Sequence, residues 1–573
     1  MALMRKSLFG KDRICAVIAA PDWRQMDEQL LRTLQFTSTV EFRLDWLRGE
    51  QEENRCLPKI VEGRFNLTGD GAVSYRTRKF YSLKERREWV QGLNTYFPPA
   101  PKSGPLTRIA TCRHVNAGGR FRGRWTAQFS QLLHATCDKS EWVDLDIELA
   151  ERYSASVLSV RLRSSISATS KADLKETLRF LRAAGVHFQK ESAKLIISFH
   201  NFRETPRNFH PIVRRLNRYD GDAIKIATQC NSIADSLRVL ALAKGKKNVI
   251  AVPMGEIGLP ARVLALREGS ALAYAAVGEK TAPGQLTLDD MKNLYRADKL
   301  NRKTRVYGVI GDPVSHSLSP LMHNLAFHHK KINAVYLPFL VRDLRDFLRA
   351  IKPLGMAGFS VTLPHKEKIL RHLDDCDPLA AAMGAVNTVV VRGSGKLYGC
   401  NTDYVGVLRA LERRVRLQGS RVLIFGAGGV ARAVAFALAQ AGSIVCVSAR
   451  RMAQAESLAR AVQGEAVPRA RIGKEFFDAI ANATPVGMHP KAGESPLRAD
   501  ELNCRLVFDT IYCPLKTKLL KLAERRGIET VSGMEMFIAQ GTAQFEIWTG
   551  RRAPVALMRK AVVKALNKEG KGK

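Results

Sequence analysis

At 573 residues, the chain is long enough for at least two domains, each with its own hydrophobic core. Hydrophobic residues make up 46% of it and charged residues 25%, which excludes an intrinsically disordered chain, and no apolar run reaches the roughly eighteen residues that a membrane-spanning helix needs. The ten cysteines form no CxxC pair and no zinc-type cluster with histidine, so we expect a reduced, cytoplasmic protein that holds no metal.

The formal net charge is +37, from 91 basic and 54 acidic residues. Such a charge is compatible with binding of nucleic acid, anionic lipid or acidic substrates. The basic residues are spread along the chain, and no basic-aromatic module or nucleic-acid motif accompanies the densest stretch, GGRFRGRW at 118–125. A generally basic surface is therefore the favoured interpretation, and we expect no nucleic-acid partner and no membrane contact.

Up to about residue 290, short β-like runs alternate with amphipathic helical stretches. The first run, ICAVIAA, is short for a signal peptide and is closely followed by charged residues, so it is interpreted as a strand. The runs interpreted as strands are 14–20, 40–47, 108–113, 143–149, 194–200, 223–228, 248–255 and 271–277. Strands that alternate with helices form parallel sheets, and eight of them would close a (β/α)8 barrel. A ninth β-like run at 157–163 and an oversized, basic loop region at 48–107 do not fit this simple count.

One of these runs, AIKIAT at 223–228, contains a lysine. Side chains alternate between the two faces of a strand, so Ile224 and Ile226 point one way and Ala223, Lys225 and Ala227 the other. Burial of an ammonium group among small side chains is costly unless the group is paired or loses its proton.

A histidine stands one βα repeat before this lysine. His200 ends the preceding strand, so a barrel would place it beside Lys225 near the carboxyl ends of adjacent strands. A partly desolvated lysine can attack a carbonyl to form a Schiff base, and a neighbouring histidine can move a proton on the adjacent carbon. The alternative for each residue alone is structural, because a lone histidine often packs in a core and a strand lysine can reach water.

A polar segment without strand character, at about 288–305, precedes a new series of strands. This second half contains RVLIFGAGGVARAVAFALAQAG at 421–442, an apolar strand followed by glycines and an alanine-rich helix. Such glycines let backbone N–H groups approach a pyrophosphate at the helix start. The next strand ends in Ala449, Arg450 and Arg451 rather than in the acidic residue that favours NAD, so NADP is predicted. The alternative is that the two arginines only cap a solvated helix start.

The first half resembles type I 3-dehydroquinate dehydratase over nearly its whole length, through EFRLDWL, TCRHVNAGGRF, VDLDIEL, ISFHNF, AIKIAT, MGEIGLPARV and TAPGQ. The resemblance implies that Lys225 forms an imine with the substrate ketone. His200 would abstract the C2 proton, protonate the leaving hydroxyl and assist product release. The positions that would grip the substrate, with Arg262 on its carboxylate, are Glu41, Arg43, Arg113, Arg262, Thr281 and Gln285.

Two positions depart from that family's pattern. The chain reads Ala117-Gly118-Gly119 where a glutamate usually precedes the two glycines, and Thr281 stands where serine is usual. The missing carboxylate would have supported the protonation behaviour of the histidine, a part for which Asp146 on the neighbouring strand is a candidate.

The second half, from about residue 304, resembles shikimate dehydrogenase, through GDPVSHSLSPLMHN, SVTLPHKEKI, MGAVNTVV, GCNTDYVG, GAGGVARA, NATPVGM, IYCPLKT and GMEMFIAQGTAQF. The resemblance implies that Lys366 and Asp403 flank the reacting hydroxyl or ketone and transfer its proton. On pattern alone, Lys366 could instead be a solvated helix-start residue and Asp403 part of an ordinary N-cap.

Further positions follow from the same resemblance. Those implied to bind the substrate carboxylate and ring hydroxyls are Ser317, Ser319, Thr362, Asn387, Tyr512, Gln540 and Gln544. Those implied to bind NADP are Gly426, Ala427, Gly428, Gly429, Val430, Ala431, Arg450, Arg451, Asn482, Thr484, Met488 and Gly533. Arg450 falls on the family's NADP arginine, whereas Arg451 replaces a more usual threonine and Ser360 stands where many members have asparagine.

Together, the two resemblances imply a bifunctional α/β enzyme that performs consecutive steps of the shikimate pathway, acting on 3-dehydroquinate, 3-dehydroshikimate and shikimate. The implied domains are a (β/α)8 dehydratase barrel at 1–290, a linker at 291–303, a substrate domain at 304–405, a Rossmann-type NADP domain at 406–532 and a helical return to the substrate domain at 533–573. The expected state is a monomer or loose dimer. The alternative function is a monofunctional shikimate or quinate dehydrogenase with a weakened dehydratase domain, and Ser317 with Ser319 favours shikimate over quinate.

Overall fold

The computed structural model divides into two compact units, Met1–Arg302 and Lys303–Lys573. The structure describes residues 8–9, 12–46, 65–67, 73–75, 107–115, 118–122, 128, 132, 141–151, 194–219 and 221–569. The ninth β-like run at 157–163, Ala117 and most of the region 48–107 lie outside the described residues. Two short strands within that region are described, and they pair antiparallel with each other.

The first unit is built on a parallel sheet that is nearly closed into a barrel. Its strands, with the short pair β3 and β4, are β1 (Ile14–Ile18), β2 (Thr39–Arg43), β3 (Phe65–Leu67), β4 (Val73–Tyr75), β5 (Thr107–Thr111), β6 (Trp142–Asp146), β7 (Lys194–Asn201), β8 (Ala223–Gln229), β9 (Val249–Met254) and β10 (Ala273–Ala276). The eight-stranded sheet has the order β10-β1-β2-β5-β6-β7-β8-β9. The N–H of Ala271, just before β10, donates to the carbonyl of Val249 in β9 at 2.9 Å, which brings the two ends of the sheet together. The predicted eight-stranded barrel is thus confirmed.

The helices described in this unit are α1 (Trp23–Thr33), α2 (His210–Asn217), α3 (Ile233–Ala241) and α4 (Leu259–Glu268). Helix α3 begins at a capping box in which Ser232 and Asp235 bond each other's backbone N–H groups. Helix α4 ends at Gly269, whose φ of +112° fits the left-handed C-cap that glycine favours. Two predicted strands are shorter than the sequence suggested, because residues 44–46 and 147–151 turn into helical conformation.

Apolar side chains, from alanine to tryptophan in size, fill the barrel interior. Ala223 and Ala227 of β8 pack there with residues of the other strands, including Ile109, Ile196 and Ile250. The predicted alternation along β8 is confirmed, and Lys225, which lies between the two alanines, is only 4% exposed.

The segment predicted as a linker, 291–303, packs on the first unit. It contains helical turns at Asp290–Leu294 and Ala297–Lys299, and the side chains of Met291 and Tyr295 are buried. The boundary between the two units follows this segment.

The second unit contains a mixed sheet of order β12-β11-β13-β15-β16-β14. Its strands are β11 (Arg305–Gly311), β12 (Ala334–Leu340), β13 (Met356–Val361), β14 (Asp375–Cys376), β15 (Thr388–Val391) and β16 (Leu397–Cys400). Its helices are α5 (Ser319–His329), α6 (Leu344–Leu354), α7 (Pro378–Met383) and α8 (Asp403–Leu411). Strand β15 runs antiparallel to both β13 and β16.

The other sheet of this unit is parallel throughout, in the order β19-β18-β17-β20-β21-β22. Its strands are β17 (Arg421–Phe425), β18 (Ile444–Ser448), β19 (Glu465–Ala466), β20 (Phe477–Asn482), β21 (Cys504–Asp509) and β22 (Glu529–Ser532). The helices are α9 (Gly429–Gln440), α10 (Met452–Ala461), α11 (Lys518–Arg525), α12 (Gly533–Thr549) and α13 (Val555–Glu569). Apolar clusters cover both faces, as a doubly wound Rossmann-type sheet requires.

The last two helices pack back onto the mixed-sheet part of the unit, α12 on α8 and α13 on α5. In the described ranges, no helix is both long and apolar enough to cross a membrane.

Candidate active sites

In the first unit, Lys225 lies among carboxylates inside the barrel. Its Nζ donates to Asp144 Oδ2 at 2.6 Å and lies 3.6 Å from Glu41 Oε2. Burial alone would raise the pKa of Asp144, but the charges of Lys225 and Arg113 outweigh burial and hold that pKa well below its usual range. Asp144 is not among the residues predicted from the sequence; its side chain is fully buried and supplies the closest counter-charge to the lysine.

His200 lies on the strand next to Lys225, as predicted, since Ala227 of β8 pairs with His200 of β7. Its Nδ1 lies 3.1 Å from Asp146 Oδ1, and its side chain is 4% exposed. Burial and then the positive charge of Arg113 lower the pKa of His200 from 6.5 to about 4. The ring is therefore neutral at physiological pH, the form that can accept a proton.

Two predicted arginines are held by carboxylates around this centre. Arg113 Nη2 donates to Asp144 Oδ2 at 3.2 Å, and its Nε lies 3.5 Å from Asp146 Oδ1. Arg43 instead forms a two-bond ion pair with Asp45, at 2.9 and 2.8 Å. Both guanidinium groups are buried, and both interact electrostatically with Glu41.

Arg262 differs because it pairs with no carboxylate in the described part of the chain. Its Nε donates to the carbonyl of Pro253 at 2.8 Å and its Nη2 to that of Pro283 at 2.9 Å. Burial lowers the pKa of Arg262 to about 10, so the group is still charged at neutral pH. A buried, unneutralised guanidinium is suited to receive a substrate carboxylate.

Thr281 and Gln285 lie on the loop that also holds Arg262. Gln285 Oε1 accepts hydrogen bonds from the N–H of Thr281 at 2.8 Å and from its hydroxyl at 3.1 Å. Thr281 thus provides a side-chain hydroxyl, as the more usual serine would.

Several buried polar atoms of the barrel have no hydrogen-bond partner among the described residues. They include Thr111 Oγ1, Glu41 Oε2, Arg113 Nε, Asp144 Oδ1, the Tyr274 hydroxyl, His200 Nδ1 and His200 Nε2. Unsatisfied buried polar atoms are costly, so their concentration around Lys225 favours a polar ligand in this cavity. Tyr274, which sequence reasoning also missed, lies with its ring centre 4.2 Å from the lysine Nζ.

In the second unit, Lys366 and Asp403 are brought together as predicted. Lys366 Nζ donates to Asp403 Oδ2 at 2.6 Å, although the two residues lie 37 positions apart. Asp403 is the first residue of α8, where the free N–H groups favour a negative charge. Such a close pair can hold and transfer a proton at one substrate oxygen.

A polar network borders this pair. Gln544 accepts a hydrogen bond from Ser360 Oγ at 2.8 Å and donates to the carbonyl of Asn387 at 3.3 Å. Ser360 Oγ lies 2.6 Å from the hydroxyl of Tyr336, a residue without a functional signal in the sequence. Asn387 in turn accepts from the N–H of Thr402 at 2.8 Å.

The other predicted substrate positions are distributed over neighbouring segments. Ser319 begins α5, and its N–H donates to Ser317 Oγ at 3.3 Å. Thr362 follows β13, and Tyr512 stacks on Phe537 with ring centres 4.3 Å apart. The side-chain amide of Gln540 donates to a carbonyl within its own helix, so its contact with a substrate stays a prediction.

The glycine loop after β17 has space for a dinucleotide phosphate. Gly426 has a φ of +115°, which glycine adopts without strain, and a Cβ there would meet the carbonyl of Ala483 at 2.8 Å. A Cβ at Gly428 would meet nothing within 4 Å, so the loop is open where a pyrophosphate would approach the start of α9. Gly429 lies next to Lys366, since its Cβ would be 3.4 Å from that side chain. Ala427, Val430 and Ala431 belong to the same loop and helix start, and these residues fit NADP.

The two predicted arginines follow β18. Arg450 is exposed and has no ion-pair partner in the described ranges, whereas Arg451 Nε donates to Gln454 at 3.1 Å. A free guanidinium at this position is suited to a 2′-phosphate.

The predicted nicotinamide-side residues divide into a buried and an exposed set. Asn482 is fully buried and bonds Thr484, Val486 and Asp509, so it supports the loop, and its contact with the cofactor stays a prediction. Met488 is 39% exposed. Gly533 begins α12, where a Cβ would collide with the carbonyl of Thr510.

In the described ranges, no group of three or more His, Cys, Asp or Glu side chains is placed to hold a metal ion.

Each half of the chain is similar to known protein families. The family Type I 3-dehydroquinase matches residues 14–302. The Shikimate dehydrogenase substrate binding domain matches residues 309–389, and the Shikimate 5'-dehydrogenase C-terminal domain matches residues 533–563.

Some relatives are similar to one half of the chain, and others are similar to both halves. The bifunctional 3-dehydroquinate dehydratase/shikimate dehydrogenase, chloroplastic, of Arabidopsis thaliana is 35% identical over 498 residues, which cover 82% of this chain and 78% of the relative. The shikimate dehydrogenase (NADP(+)) of Bacillus cereus is 42% identical over 46% of this chain and 99% of its own. A crystal structure of a shikimate dehydrogenase in complex with NADP+ is 39% identical and covers 47% of this chain and 97% of that chain, with a TM-score of 0.44.

Proposed function

The chain belongs to the family of bifunctional 3-dehydroquinate dehydratase/shikimate dehydrogenases, and we propose that Lys225 with His200 and Lys366 with Asp403 carry its two reactions. It dehydrates 3-dehydroquinate to 3-dehydroshikimate and then reduces 3-dehydroshikimate to shikimate with NADPH. The product of the first reaction is the substrate of the second.

The dehydration uses the lysine as a nucleophile. The neutral amine of Lys225 attacks the substrate ketone, the ketone oxygen leaves as water, and an iminium links lysine to substrate. His200 takes the C2 proton, the electron pair of that C–H bond moves toward the iminium, and the substrate hydroxyl leaves as water with the proton that His200 returns. A further water hydrolyses the imine, which releases product and lysine.

The groups around Lys225 support this assignment electrostatically. Asp144 and Glu41 hold the ammonium form in place before the reaction, and loss of its proton gives the nucleophile. Arg262 binds the substrate carboxylate, because its charge has no other counter-ion in the described ranges and its two backbone contacts fix the plane of the guanidinium.

The reduction uses Lys366 and Asp403 at a ketone oxygen. When bound, NADPH supplies the hydride that reduces the ketone carbon. Lys366 donates the proton that the oxygen gains, and Asp403 orients the ammonium and balances its charge. The proximity of Gly429 to Lys366 supports a single cleft for the cofactor loop and the proton donor, with Arg450 selecting the 2′-phosphate.

We also propose the domain division 1–290, 291–303, 304–405, 406–532 and 533–573, with the second segment packed on the barrel. The packing of α12 on α8 and of α13 on α5 supports a helical return to the substrate domain. A monomer or loose dimer is the proposed state, which sedimentation equilibrium tests.

The cytoplasm is the proposed compartment. The eight described cysteines are free thiols, as in a reducing compartment. The Arabidopsis relative is chloroplastic by name, so imaging of the tagged full chain distinguishes the two locations.

The observation that carries the assignment is that each unit contains a Lys–Asp pair at 2.6 Å beside its predicted ligand site. The first test gives the purified protein 3-dehydroquinate and NADPH together and follows NADPH loss. Steady oxidation means that both units work. Oxidation with 3-dehydroshikimate only would leave the alternative, a dehydrogenase with a weakened barrel.

A second test identifies the nucleophile. Borohydride added during turnover of 3-dehydroquinate should reduce the imine and leave a stable adduct on Lys225, found by peptide mass spectrometry. An adduct on another lysine, or none, would contradict the assignment of Lys225.

A further inference from the structure

The two acidic residues of β6 lie on one face of the strand. Asp144 and Asp146 are two positions apart, so strand alternation points both into the barrel, and both are at least 95% buried. Each contacts a different catalytic group, because Asp144 bonds Lys225 at 2.6 Å while Asp146 lies 3.1 Å from His200 Nδ1. Strand β6 therefore supplies one carboxylate to the nucleophile and another to the histidine.

Asp146 is itself held in position. Its Oδ1 accepts a hydrogen bond from Ser198 Oγ at 3.2 Å and lies 3.5 Å from Arg113 Nε. Ser198 is the residue that pairs with Asp146 across β6 and β7, and His200 follows two positions later on the same face. The carboxylate is thus fixed by its strand neighbours, and the ring is the group that remains free to align with it.

The charged groups that face His200 come from three strands. They are Arg113 after β5, Asp144 and Asp146 on β6, and Lys225 on β8. Arg113 and Lys225 disfavour a protonated ring, whereas Asp146 is the carboxylate in direct contact with it. Phe202 lies with its ring centre 6.2 Å from that of the imidazole, nearly parallel to it.

We propose that Asp146 is the positioning residue of His200: it holds the proton on Nδ1, leaves Nε2 as the base that faces the substrate, and balances the charge of the imidazolium. This inference rests on the proposed function of His200. Among the described residues, neither ring nitrogen has a well-aligned hydrogen-bond partner, and a small rotation of the ring would bring Nδ1–H onto the carboxylate. The carboxylate would then fix the tautomer and stabilise the ring after it takes the substrate proton, as in other carboxylate–histidine pairs.

Asp146→Asn tests the charge while it keeps the shape of the side chain. We expect dehydratase kcat to fall about 100-fold or more, with KM changed only a few-fold. The acidic limb of the kcat/KM profile should move to lower pH, because loss of the carboxylate leaves the protonated ring beside the cations Arg113 and Lys225, with the more distant Asp144 as a counter-charge. Substrate should still be trapped by borohydride on Lys225, since the Lys225–Asp144 contact is untouched.

Asp222→Asn is the matched control. Asp222 Oδ2 accepts from the N–H of Leu195 at 2.9 Å at the amino end of β7, away from the histidine. That variant should keep the wild-type kcat and pH profile, so a shift in Asp146→Asn cannot be assigned to loss of a strand-capping carboxylate.

The measured kcat, the acidic limb and the trapping at Lys225 decide the proposal. An Asp146→Asn enzyme with kcat within threefold of wild type and an unmoved acidic limb overturns it. If that variant does not fold, Asp146→Glu decides, because it keeps the charge: an acidic limb near the wild-type position supports the proposal, and a limb moved to lower pH overturns it. Wild-type protein that yields no adduct at Lys225 instead overturns the proposed dehydratase chemistry, a failure that the trapping assay separates from loss of the Asp146 effect.

Discussion

Each half of the chain contains a lysine 2.6 Å from an aspartate, yet the two pairs are assigned different chemistry. Lys225 lies in the middle of a barrel strand, between two inward-facing alanines. Lys366 lies on a loop, and its partner Asp403 begins a helix. The two pairs therefore share the same Lys–Asp contact but lie in different structural environments.

The settings differ in the number of charges. Around Lys225, a second carboxylate, Glu41, lies 3.6 Å from Nζ, and Arg113 shares the Asp144 carboxylate. Lys366 has Asp403 as its close carboxylate, and its side chain is 12% exposed. The barrel lysine therefore belongs to a buried charge cluster, whereas the other lysine belongs to a simple pair at a cleft.

Because the environments of Lys225 and Lys366 differ, a Lys–Asp contact does not define a reaction by itself. The groups next to each lysine determine its reaction. A histidine base beside Lys225 favours imine chemistry, whereas a dinucleotide loop beside Lys366 favours proton transfer coupled to hydride transfer.

Lys225→Ala and Lys366→Ala should separate the two activities. Lys225→Ala removes the nucleophile, so dehydratase activity should fall at least about 10⁴-fold while 3-dehydroshikimate reduction is unchanged. Lys366→Ala should lower the reductase kcat by about 10²- to 10⁴-fold and leave dehydration unchanged. Each activity is assayed with its own substrate, and cross-effects on the other activity would contradict two independent centres.

Asp144→Asn and Asp403→Asn should differ in stability. Asp144→Asn leaves Lys225 and Arg113 buried with one negative charge fewer, so the barrel should lose about 3–5 kcal/mol of unfolding free energy. Asp403→Asn should cost its unit about 1–3 kcal/mol, because the Lys366 ammonium can recruit water. Hydrogen exchange during urea unfolding follows peptides of the two units separately. Equal losses of unfolding free energy in the two variants would contradict the difference between the buried charge cluster and the simple ion pair.

The barrel should also depend on pH through His200. Burial and Arg113 lower the pKa of this histidine from 6.5 to about 4, so the folded state disfavours the charged ring. The contribution of the neutral His200 ring to the free energy of unfolding is complete above pH 6.5. It is lost as the pH falls towards 4, a change of about 3 kcal/mol. His200→Asn should reduce the loss of unfolding free energy between pH 7 and pH 4.5, measured by urea unfolding of both proteins at the two pH values. An equal loss in the variant and the wild type would contradict a neutral buried ring.

The smallest effect concerns the cofactor, which the reductase half needs. Arg450→Ala should raise KM for NADPH about tenfold, equivalent to about 1.4 kcal/mol, and leave KM for NADH unchanged. Because Arg450 is exposed, the effect should shrink at high salt. Arg460→Ala, an exposed charge at the end of α10, is the control, and an equal rise in KM there would point to general surface charge.

Much of this architecture follows from local sequence patterns. The eight strands of the barrel, the inward face of β8 and the strand–glycine–helix unit of the second half are set by apolar periodicity and turn residues, which act over a few positions. The adjacency of His200 and Lys225 follows from one βα repeat. These features could be predicted because neighbours in sequence determine them.

The partners of the catalytic groups could not be predicted in the same way. Asp144 lies 81 positions from Lys225, and its run reads as an ordinary strand with acidic residues until barrel closure brings β6 and β8 to one cavity. The contact of Tyr336 with Ser360 likewise depends on how β12 and β13 flank β11. Burial of Asp509, which raises its pKa to about 6, carries no local signal either.

The guanidinium of Arg262 has a consequence for how the barrel responds to its buffer. It is buried and charged, and in the described ranges two carbonyl oxygens hold it while no carboxylate pairs with it. Small anions such as phosphate or sulfate should enter the cavity, compete with 3-dehydroquinate, and raise the melting temperature by mass action. The stability of this half is therefore a property of its buffer as much as of its sequence.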